Sequence, residues 1–123
     1  MKNRQQKGLD GEEIAAEYLK AQGYDLLEHR YRFGHKEIDL IARKDDLIIF
    51  VEVKSRRSDS FGPANLSVTP RKQRNLIAAA EGYLLGKGLI EDRQQFRFDV
   101  ILLHPPGNDG DVRLEHITDA FRT

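Results

Sequence analysis

The sequence predicts a mixed α/β domain whose elements follow the order αβββαβ, with a mixed sheet flanked by helices. Two segments combine helical apolar spacing with recognisable ends, and four others carry strand-like apolar runs. The turns between the first three strands are short, which favours antiparallel neighbours. At 123 residues the chain has the length of one domain, so we expect residues 1–123 to form a single domain.

The first helix is predicted over Leu9 to Gln22, with Asp10 as its N-cap and Gly23 just beyond its end. Turning the chain by about 100° per residue gathers the apolar side chains on one arc, and Glu12 falls inside that arc. A carboxylate at this position either reaches water from the margin of the apolar stripe or points at a site beneath the helix.

The remaining elements follow from apolar runs and turn signals. Three strands are predicted over Tyr24–Tyr31, Lys36–Arg43 and Leu47–Lys54. A second helix opens with Thr69 as cap and Pro70 as first residue, and ends at Gly86 and Gly88. A fourth strand is predicted over Phe96–Leu103, closed by Pro105-Pro106-Gly107, and Arg113–Ile117 suggests a short edge strand.

The composition excludes several classes of protein. Apolar residues make up 39% and charged residues 33%, which is ordinary for a globular chain and argues against general disorder. With zero Cys, disulfides, thiolate nucleophiles, Fe–S clusters and Cys-based zinc sites are excluded, so any metal needs oxygen or His ligands. The longest apolar run, Leu47 to Val51, is far shorter than the roughly 18 residues that span a bilayer. We therefore expect a cytoplasmic protein with no membrane partner.

Positive charge is concentrated in one part of the chain, although 20 basic and 20 acidic residues balance overall. Between Lys54 and Arg74 there are six basic residues and one acidic residue. Cations in the first turns of the second helix oppose the helix dipole, and a bound phosphate would compensate for that. The alternative is a set of solvated surface cations. The predicted nucleic-acid-binding residues are Arg56, Arg57, Arg71, Lys72 and Arg74.

Charged residues interrupt two strands that are otherwise rich in apolar residues. Glu37 and Asp39 share one face of the second strand, and Glu52 and Lys54 share one face of the third. An antiparallel pairing whose positions add to an odd sum places Asp39 opposite or diagonal to Glu52, within about 4.5–8 Å between Cβ atoms. An even sum places the two carboxylates on opposite faces.

Two crowded carboxylates require a proton, a cationic side chain or a divalent metal to relieve their repulsion. Mg²⁺ or Mn²⁺ suits an oxygen-ligand pair, and Mg²⁺ often uses only one or two carboxylates, leaving positions for water and phosphate. Lys54 would then orient the attacking water or stabilise the pentavalent phosphorus. The alternative is a surface hairpin whose charges form a solvated ladder of ion pairs.

Several motifs occur together and in order, from Gly11 to about Ile101. They are Gly11-Glu12-x-x-Ala15, Glu37-Ile38-Asp39-Leu40-Ile41, Phe50-Val51-Glu52-Val53-Lys54 followed by Arg56, Phe61-Gly62, Thr69-Pro70-Arg71-Lys72-Gln73 and Arg97-Phe98-Asp99-Val100. On these motifs the sequence resembles the YraN-type UPF0102 family. Its members are predicted endonucleases of the PD-(D/E)XK, restriction-endonuclease-like superfamily, which is related in fold to archaeal Holliday junction resolvases. One departure is that His35-Lys36 precede Glu37 where family members usually have two glycines, which affects the shape of the loop.

The resemblance implies a restriction-endonuclease-like core and a role for each matching residue. Asp39 and Glu52 would be the metal ligands, with the carbonyl of Val53 completing the site. Lys54 would be the catalytic lysine and Glu12 the helix-borne acid of the resolvase-like subgroup.

We therefore expect a Mg²⁺- or Mn²⁺-dependent endonuclease that hydrolyses phosphodiester bonds in DNA, with branched or structured DNA suggested by the resolvase resemblance alone. The alternative is a non-catalytic module that binds nucleic acid or protein and keeps the nuclease fold. A homodimer would suit an enzyme that cuts two strands symmetrically. The four His residues lack the spacing of a metal motif and are predicted to be surface or strand residues.

Overall fold

The computed structural model describes residues 5–55, 68–88, 95–104, 110 and 112–122, with side chains from residue 11 onward. Its elements are α1 (Gln5–Ala21), β1 (Asp25–Phe33), β2 (Lys36–Lys44), β3 (Leu47–Ser55), α2 (Pro70–Gly86), β4 (Gln95–His104) and β5 (Arg113–Phe121). The predicted Pro105-Pro106-Gly107 stop lies outside the described residues.

The strands form one five-stranded sheet in the order β1-β2-β3-β4-β5. Neighbouring strands are antiparallel except β3 and β4, which are parallel and joined through α2. A parallel pair needs a crossover of this kind because a tight hairpin reverses the chain. The predicted α/β class, element order and mixed sheet are confirmed.

The observed helix ends test the capping and terminating residues that the sequence predicted. Because α1 begins at Gln5, Asp10 lies inside the helix and the N-cap predicted there is wrong. The predicted end is confirmed: Gly23 has φ 96°, and the main-chain N–H of Tyr24 donates to the Leu19 carbonyl at 3.0 Å. At α2 the Thr69 hydroxyl accepts the N–H of Lys72 at 3.2 Å, so the predicted cap is confirmed.

The sheet buries a separate apolar layer on each face. The α1 face packs Ala15, Ala16 and Leu19 against β2, β3 and β4, and the α2 face packs Leu76, Ala80 and Tyr83 against the opposite side. Along β3 the side chains alternate strictly between the two layers: Ile48 and Phe50 join the α2 face, while Ile49 and Val51 join the α1 face. Neither described helix is both long and apolar enough to cross a membrane.

A buried polar network ties β5 to the rest of the sheet. The Asp99 side chain is fully buried and accepts two hydrogen bonds from Arg97, at 2.8 Å each, and one from Nε2 of His116 at 2.8 Å. The main-chain N–H of Asp119 donates to the same carboxylate at 3.0 Å, and the Tyr18 hydroxyl of α1 lies 2.9 Å from Nδ1 of His116. This network extends β5 to Phe121, four residues beyond the predicted edge strand.

The network keeps Asp99 ionised although it is buried. Burial alone would raise the pKa of Asp99, but the hydrogen bonds from His116 and Arg97 outweigh it and lower the pKa below its ordinary value. The carboxylate therefore has a partner for each of its oxygen atoms, as a structural charge in a core requires.

Replacing Asp99 by Asn should destabilise the fold, because Arg97, whose side chain is 24% exposed, would lose its counter-ion. Breaking a fully buried pair on one side costs about 3–5 kcal/mol, so we expect a smaller loss of free energy of unfolding, measured in urea. The matched control is Asp119→Asn, since Asp119 pairs with Arg122 at the exposed surface and Asn tolerates its positive φ of 54°. Equal stability of the Asp99 variant and wild type would show that the network does not hold β5.

Candidate active site

The two acids of the central strands meet where β2 and β3 separate. The antiparallel pairs run from Lys44↔Leu47 to Leu40↔Val51, so the paired positions add to an odd sum. Asp39 and Glu52 are the next positions in this register, just beyond the last pair. The odd-sum alternative is therefore the correct one, and the carboxylates are neighbours.

A break in strand alternation frees Asp39 from the ladder. Ile38 and Ile41 are three residues apart yet both belong to the α2-facing core, so the regular alternation of β2 fails between them. The Asp39 Oδ2 atom instead accepts the main-chain N–H of Val53 at 2.8 Å. A hydrogen bond to the Asp39 side chain thus replaces a main-chain hydrogen bond between the strands. It holds Asp39 beside β3, the strand that carries Glu52.

Glu52 is buried but only half satisfied. It is 4% exposed, and its Oε1 atom has no hydrogen-bond partner among the described residues. Its Oε2 atom lies 3.6 Å from Nζ of Lys72, an ion pair that is too long for a hydrogen bond. Burial, followed by the charge of Asp39, raises the pKa of Glu52 to about 7. A buried carboxylate oxygen without a donor is rare in native proteins, and here it suits either a proton shared with Asp39 or a bound cation.

Asp39 shares this electrostatic environment. Burial raises the pKa of Asp39, the hydrogen bond from Val53 lowers it, and the charge of Glu12 raises it again. The net direction is upward. Two acids with raised pKa values side by side are typical of a functional site, because their repulsion lowers the stability of the fold without a structural benefit.

Two lysines balance the acids. Lys54 is partly exposed on β3, and its charge, together with that of Lys72, lowers the pKa of Glu52 relative to what burial would give. The sequence placed Lys72 with the nucleic-acid-binding residues, and the structure adds a contact with Glu52 that the sequence did not indicate. Lys72 reaches Glu52 because it lies in the first turn of α2, three residues after the Thr69 cap.

The other predicted cations divide into two groups. Arg71 and Arg74 are exposed on α2, as a nucleic-acid-binding role would require, and that role stays a prediction. Arg56 and Arg57 lie outside the described residues. The Gln73 amide donates to the main-chain carbonyl of Val68 at 2.9 Å, so its described hydrogen bond serves the helix start.

Close packing of α1 brings Glu12 to this end of the sheet. Gly11 is buried, and a Cβ atom there would lie 3.1 Å from Cδ1 of Leu103, so only glycine allows this approach without displacing the leucine. The Glu12 side chain is 16% exposed, and its Oε1 accepts from Nε2 of His29 at 2.6 Å and from Nε of Arg30 at 2.9 Å. Glu12 thus bonds to two exposed side chains of the edge strand β1, and its charge also raises the pKa of Asp39.

His29 and Arg30 contact Glu12, which the sequence did not indicate. His29 is an exposed residue of β1, so its prediction as a surface or strand residue is confirmed, and Arg30 gave no signal because a charged residue at a sheet edge is common. The structure places both against Glu12 at the edge of the acid pair. His116 lies in β5, as predicted, but its contacts with Asp99 and Tyr18 gave no signal because these residues are distant in sequence.

The carboxylate pair has the chemistry to bind Mg²⁺ or Mn²⁺. The described residues contain no group of three or more His, Asp or Glu side chains that could hold a metal ion. Magnesium, however, often takes only one or two carboxylates and fills its other positions with water and phosphate. Asp39 and the Oε1 atom of Glu52 are oxygen donors of the type that such an ion takes, and Val53, whose carbonyl the resemblance assigned to the metal, follows Glu52 on β3.

The chain matches the family model described as Uncharacterised protein family UPF0102 over residues 11–103. Among its relatives, a UPF0102 protein of Chlorobium phaeobacteroides is 43% identical over 119 residues, covering 94% of this chain and 92% of the relative. A UPF0102 protein of Syntrophomonas wolfei is 45% identical, covering 93% and 96%. One from Syntrophus aciditrophicus is 47% identical, covering 93% and 87%.

Replacing Glu52 by Gln should stabilise the protein at pH 8 and have much less effect at pH 5. The native pKa of about 7 lies above the ordinary value of 4.5, so wild-type stability falls as pH rises between them. Well above pH 7 the full cost, on the order of 3 kcal/mol, is present in wild type and absent from the variant. Thermal unfolding at both pH values measures the difference.

The control is Glu37→Gln, which removes a carboxylate that pairs with Arg32 at the surface of the same sheet. Its effect on stability should be the same at both pH values. A Glu52→Gln variant with an equal stability change at pH 5 and pH 8 would contradict the raised pKa.

Proposed function

The chain belongs to the UPF0102 family, and we propose that it is a Mg²⁺- or Mn²⁺-dependent endonuclease that hydrolyses phosphodiester bonds in DNA. Under this proposal its core is that of the PD-(D/E)XK superfamily. Branched or structured DNA is the substrate class that the resolvase resemblance favours.

The observation that carries this proposal is the buried Oε1 atom of Glu52, which lacks a donor among the described residues and stands beside Asp39. A structural carboxylate would be satisfied, as Asp99 is in the same sheet. An oxygen left open beside a second carboxylate and two lysines is suited to a divalent cation with phosphate as its next ligand.

In this mechanism Asp39, Glu52 and the Val53 carbonyl would hold the metal, which lowers the pKa of a bound water and neutralises charge on the phosphate. Lys54 lies two residues after Glu52 on β3, so its ammonium can orient the attacking water and offset charge that grows in the transition state. Arg71 and Arg74, exposed at the start of α2, would bind the phosphates of the flanking backbone.

A second candidate function rests on the ion pair of Lys72 with Glu52 at 3.6 Å. A lysine that neutralises the acid without a metal is what a non-catalytic nucleic-acid-binding or protein-interaction module would use. Such a module binds nucleic acid or protein equally well with and without divalent cations, whereas the nuclease turns over only with them.

Replacing Asp39 by Asn should abolish metal binding and leave stability equal or higher. Asn keeps an oxygen that accepts the Val53 N–H, and it removes one of two charges that repel each other. Calorimetric titration with Mg²⁺ and Mn²⁺ measures the loss, and Glu37→Gln serves as a control on the same strand. Undiminished affinity in the Asp39 variant would show that Asp39 is not a ligand.

The decisive experiment is metal-dependent cleavage of a panel of duplex, single-stranded, flapped and four-way DNA, with matched RNA. We expect cleavage in Mg²⁺ or Mn²⁺ by wild type and none by Asp39→Asn. Metal-independent binding without cleavage of any substrate would favour the module.

Replacing Lys54 by Met should reduce single-turnover cleavage by about two to three orders of magnitude, the effect of removing one electrostatic stabiliser. Met retains an apolar stem, so folding and DNA affinity in Ca²⁺ should change little. Melting temperature and cleavage are measured on the same preparation. Near-normal cleavage by a well-folded Lys54→Met protein would exclude a catalytic role for this lysine.

A further inference from the structure

Arg30 has a backbone conformation that arginine rarely adopts. It lies within β1 with φ 59°, in the left-handed region that favours glycine and asparagine. The pairs on either side, His29↔Leu40 and Tyr31↔Ile38, are in register, and Arg30 stands opposite Asp39 without being paired to it. A strained residue at the edge of a functional site indicates that the strain has a use.

The strain directs two consecutive side chains to one carboxylate. In a regular strand His29 and Arg30 would point to opposite faces. Here Nε2 of His29 and Nε of Arg30 lie 2.6 Å and 2.9 Å from the same Oε1 atom of Glu12. The left-handed residue thus turns the arginine toward α1, and the bond to Glu12 holds its guanidinium in place.

The terminal nitrogens of Arg30 are left to bind a ligand. A guanidinium has five N–H donors, and the bond to Glu12 uses only the one on Nε. The hydrogen bond to Glu12 is the only one that the described residues show for Arg30, and 47% of the side chain is exposed. Its register position opposite Asp39 places it at the edge of the acid pair, across β2 from Glu52 and the Lys72 that pairs with it.

We propose that Arg30 binds a backbone phosphate of the nucleic acid at the β1 side of the site, and that Glu12 is the residue that positions its guanidinium. This inference rests on the proposed nuclease function and deepens it by assigning a substrate contact. The planar guanidinium suits the tetrahedral oxygens of a phosphodiester better than an ammonium does. Arg30 lies on one side of Asp39, and the start of α2 lies on the other. The bound nucleic-acid strand would therefore cross the acid pair between cationic groups on both sides.

Replacing Arg30 by Gly gives a sharp test because glycine suits φ 59° and removes only the side chain. The variant should melt at the wild-type temperature or higher. Its affinity for labelled DNA, measured by anisotropy in Ca²⁺, should fall about 5- to 10-fold, and the salt slope should drop by about 0.9. Arg30→Lys keeps the charge and should recover the salt slope but only part of the affinity.

Two controls separate this contact from general effects. Arg32→Gln removes a charge two residues along the same strand, from a side chain that is 79% exposed and pairs with Glu37. It should leave affinity nearly unchanged. Asp45→Gly relieves a comparable φ of 56° in the β2–β3 turn, and should reproduce any stabilisation without the loss of binding.

Glu12→Ala removes the acceptor of the Arg30 Nε–H, and it distinguishes a positioning role from direct metal ligation. If Glu12 acts through Arg30, the variant should weaken DNA binding while metal affinity measured by calorimetry stays within twofold of wild type. The double variant Glu12→Ala/Arg30→Gly should bind DNA no worse than Arg30→Gly alone. A large loss of metal affinity in Glu12→Ala would overturn the positioning role.

The failure of this inference differs from the failure of the proposed function. If wild type cleaves DNA and Arg30→Gly binds with wild-type affinity and salt slope, the Arg30 contact is wrong and the nuclease stands. An equal loss in Arg32→Gln would also overturn the contact, since surface charge alone would explain it. If wild type neither binds nor cleaves nucleic acid with any metal, both proposals fail.

Discussion

The burial of two neighbouring carboxylates at the point where β2 and β3 separate constrains the rest of this end of the molecule. Asp39 and Glu52 repel each other in a sheet whose other residues are largely apolar, and burial raises the pKa of both. Three cations of the described residues lie near this pair: Lys72 pairs with Glu52, the charge of Lys54 also favours the ionised form of Glu52, and Arg30 stands opposite Asp39. The apolar layers on both faces of the sheet provide the stability that offsets this cost.

Two buried acids of the same sheet show how the surrounding donors set the pKa of a carboxylate. Asp99 receives donors from Arg97, His116 and the chain at residue 119, and its pKa is lowered. Glu52 has one long ion pair and an oxygen without a donor in the described part of the chain, and its pKa is raised to about 7. Since both lie in strands of the central parallel pair, burial alone does not explain the contrast. The difference is the number of donors that the fold aims at each carboxylate.

Most of the fold could be predicted from local signals, and the site only in part. The apolar runs predicted the strands. Strand alternation predicted that Glu52 and Lys54 share a face, because the backbone fixes the direction of successive side chains. The odd sum could not be chosen from sequence, since it depends on the geometry of the β2–β3 turn. The contact of Lys72 with Glu52 depends on how α2 lies on the sheet. The network around Asp99 joins residues up to 98 positions apart, for which no local pattern exists.

The charges around the acid pair also indicate how the site would accept a divalent cation. Three acids (Glu12, Asp39 and Glu52) lie near three cations (Arg30, Lys54 and Lys72), so these six groups carry no net charge when every carboxylate is ionised. A metal on Glu52 would displace the proton that a pKa of about 7 leaves there near neutral pH, and it would add positive charge that weakens the contact of Glu52 with a neighbouring cation. Arg30 is held to Glu12 at 2.9 Å, whereas Lys72 lies 3.6 Å from Glu52 and its side chain is 41% exposed. Lys72 therefore loses least by turning toward solvent, where the phosphate of a bound strand would take the place of Glu52 as its partner.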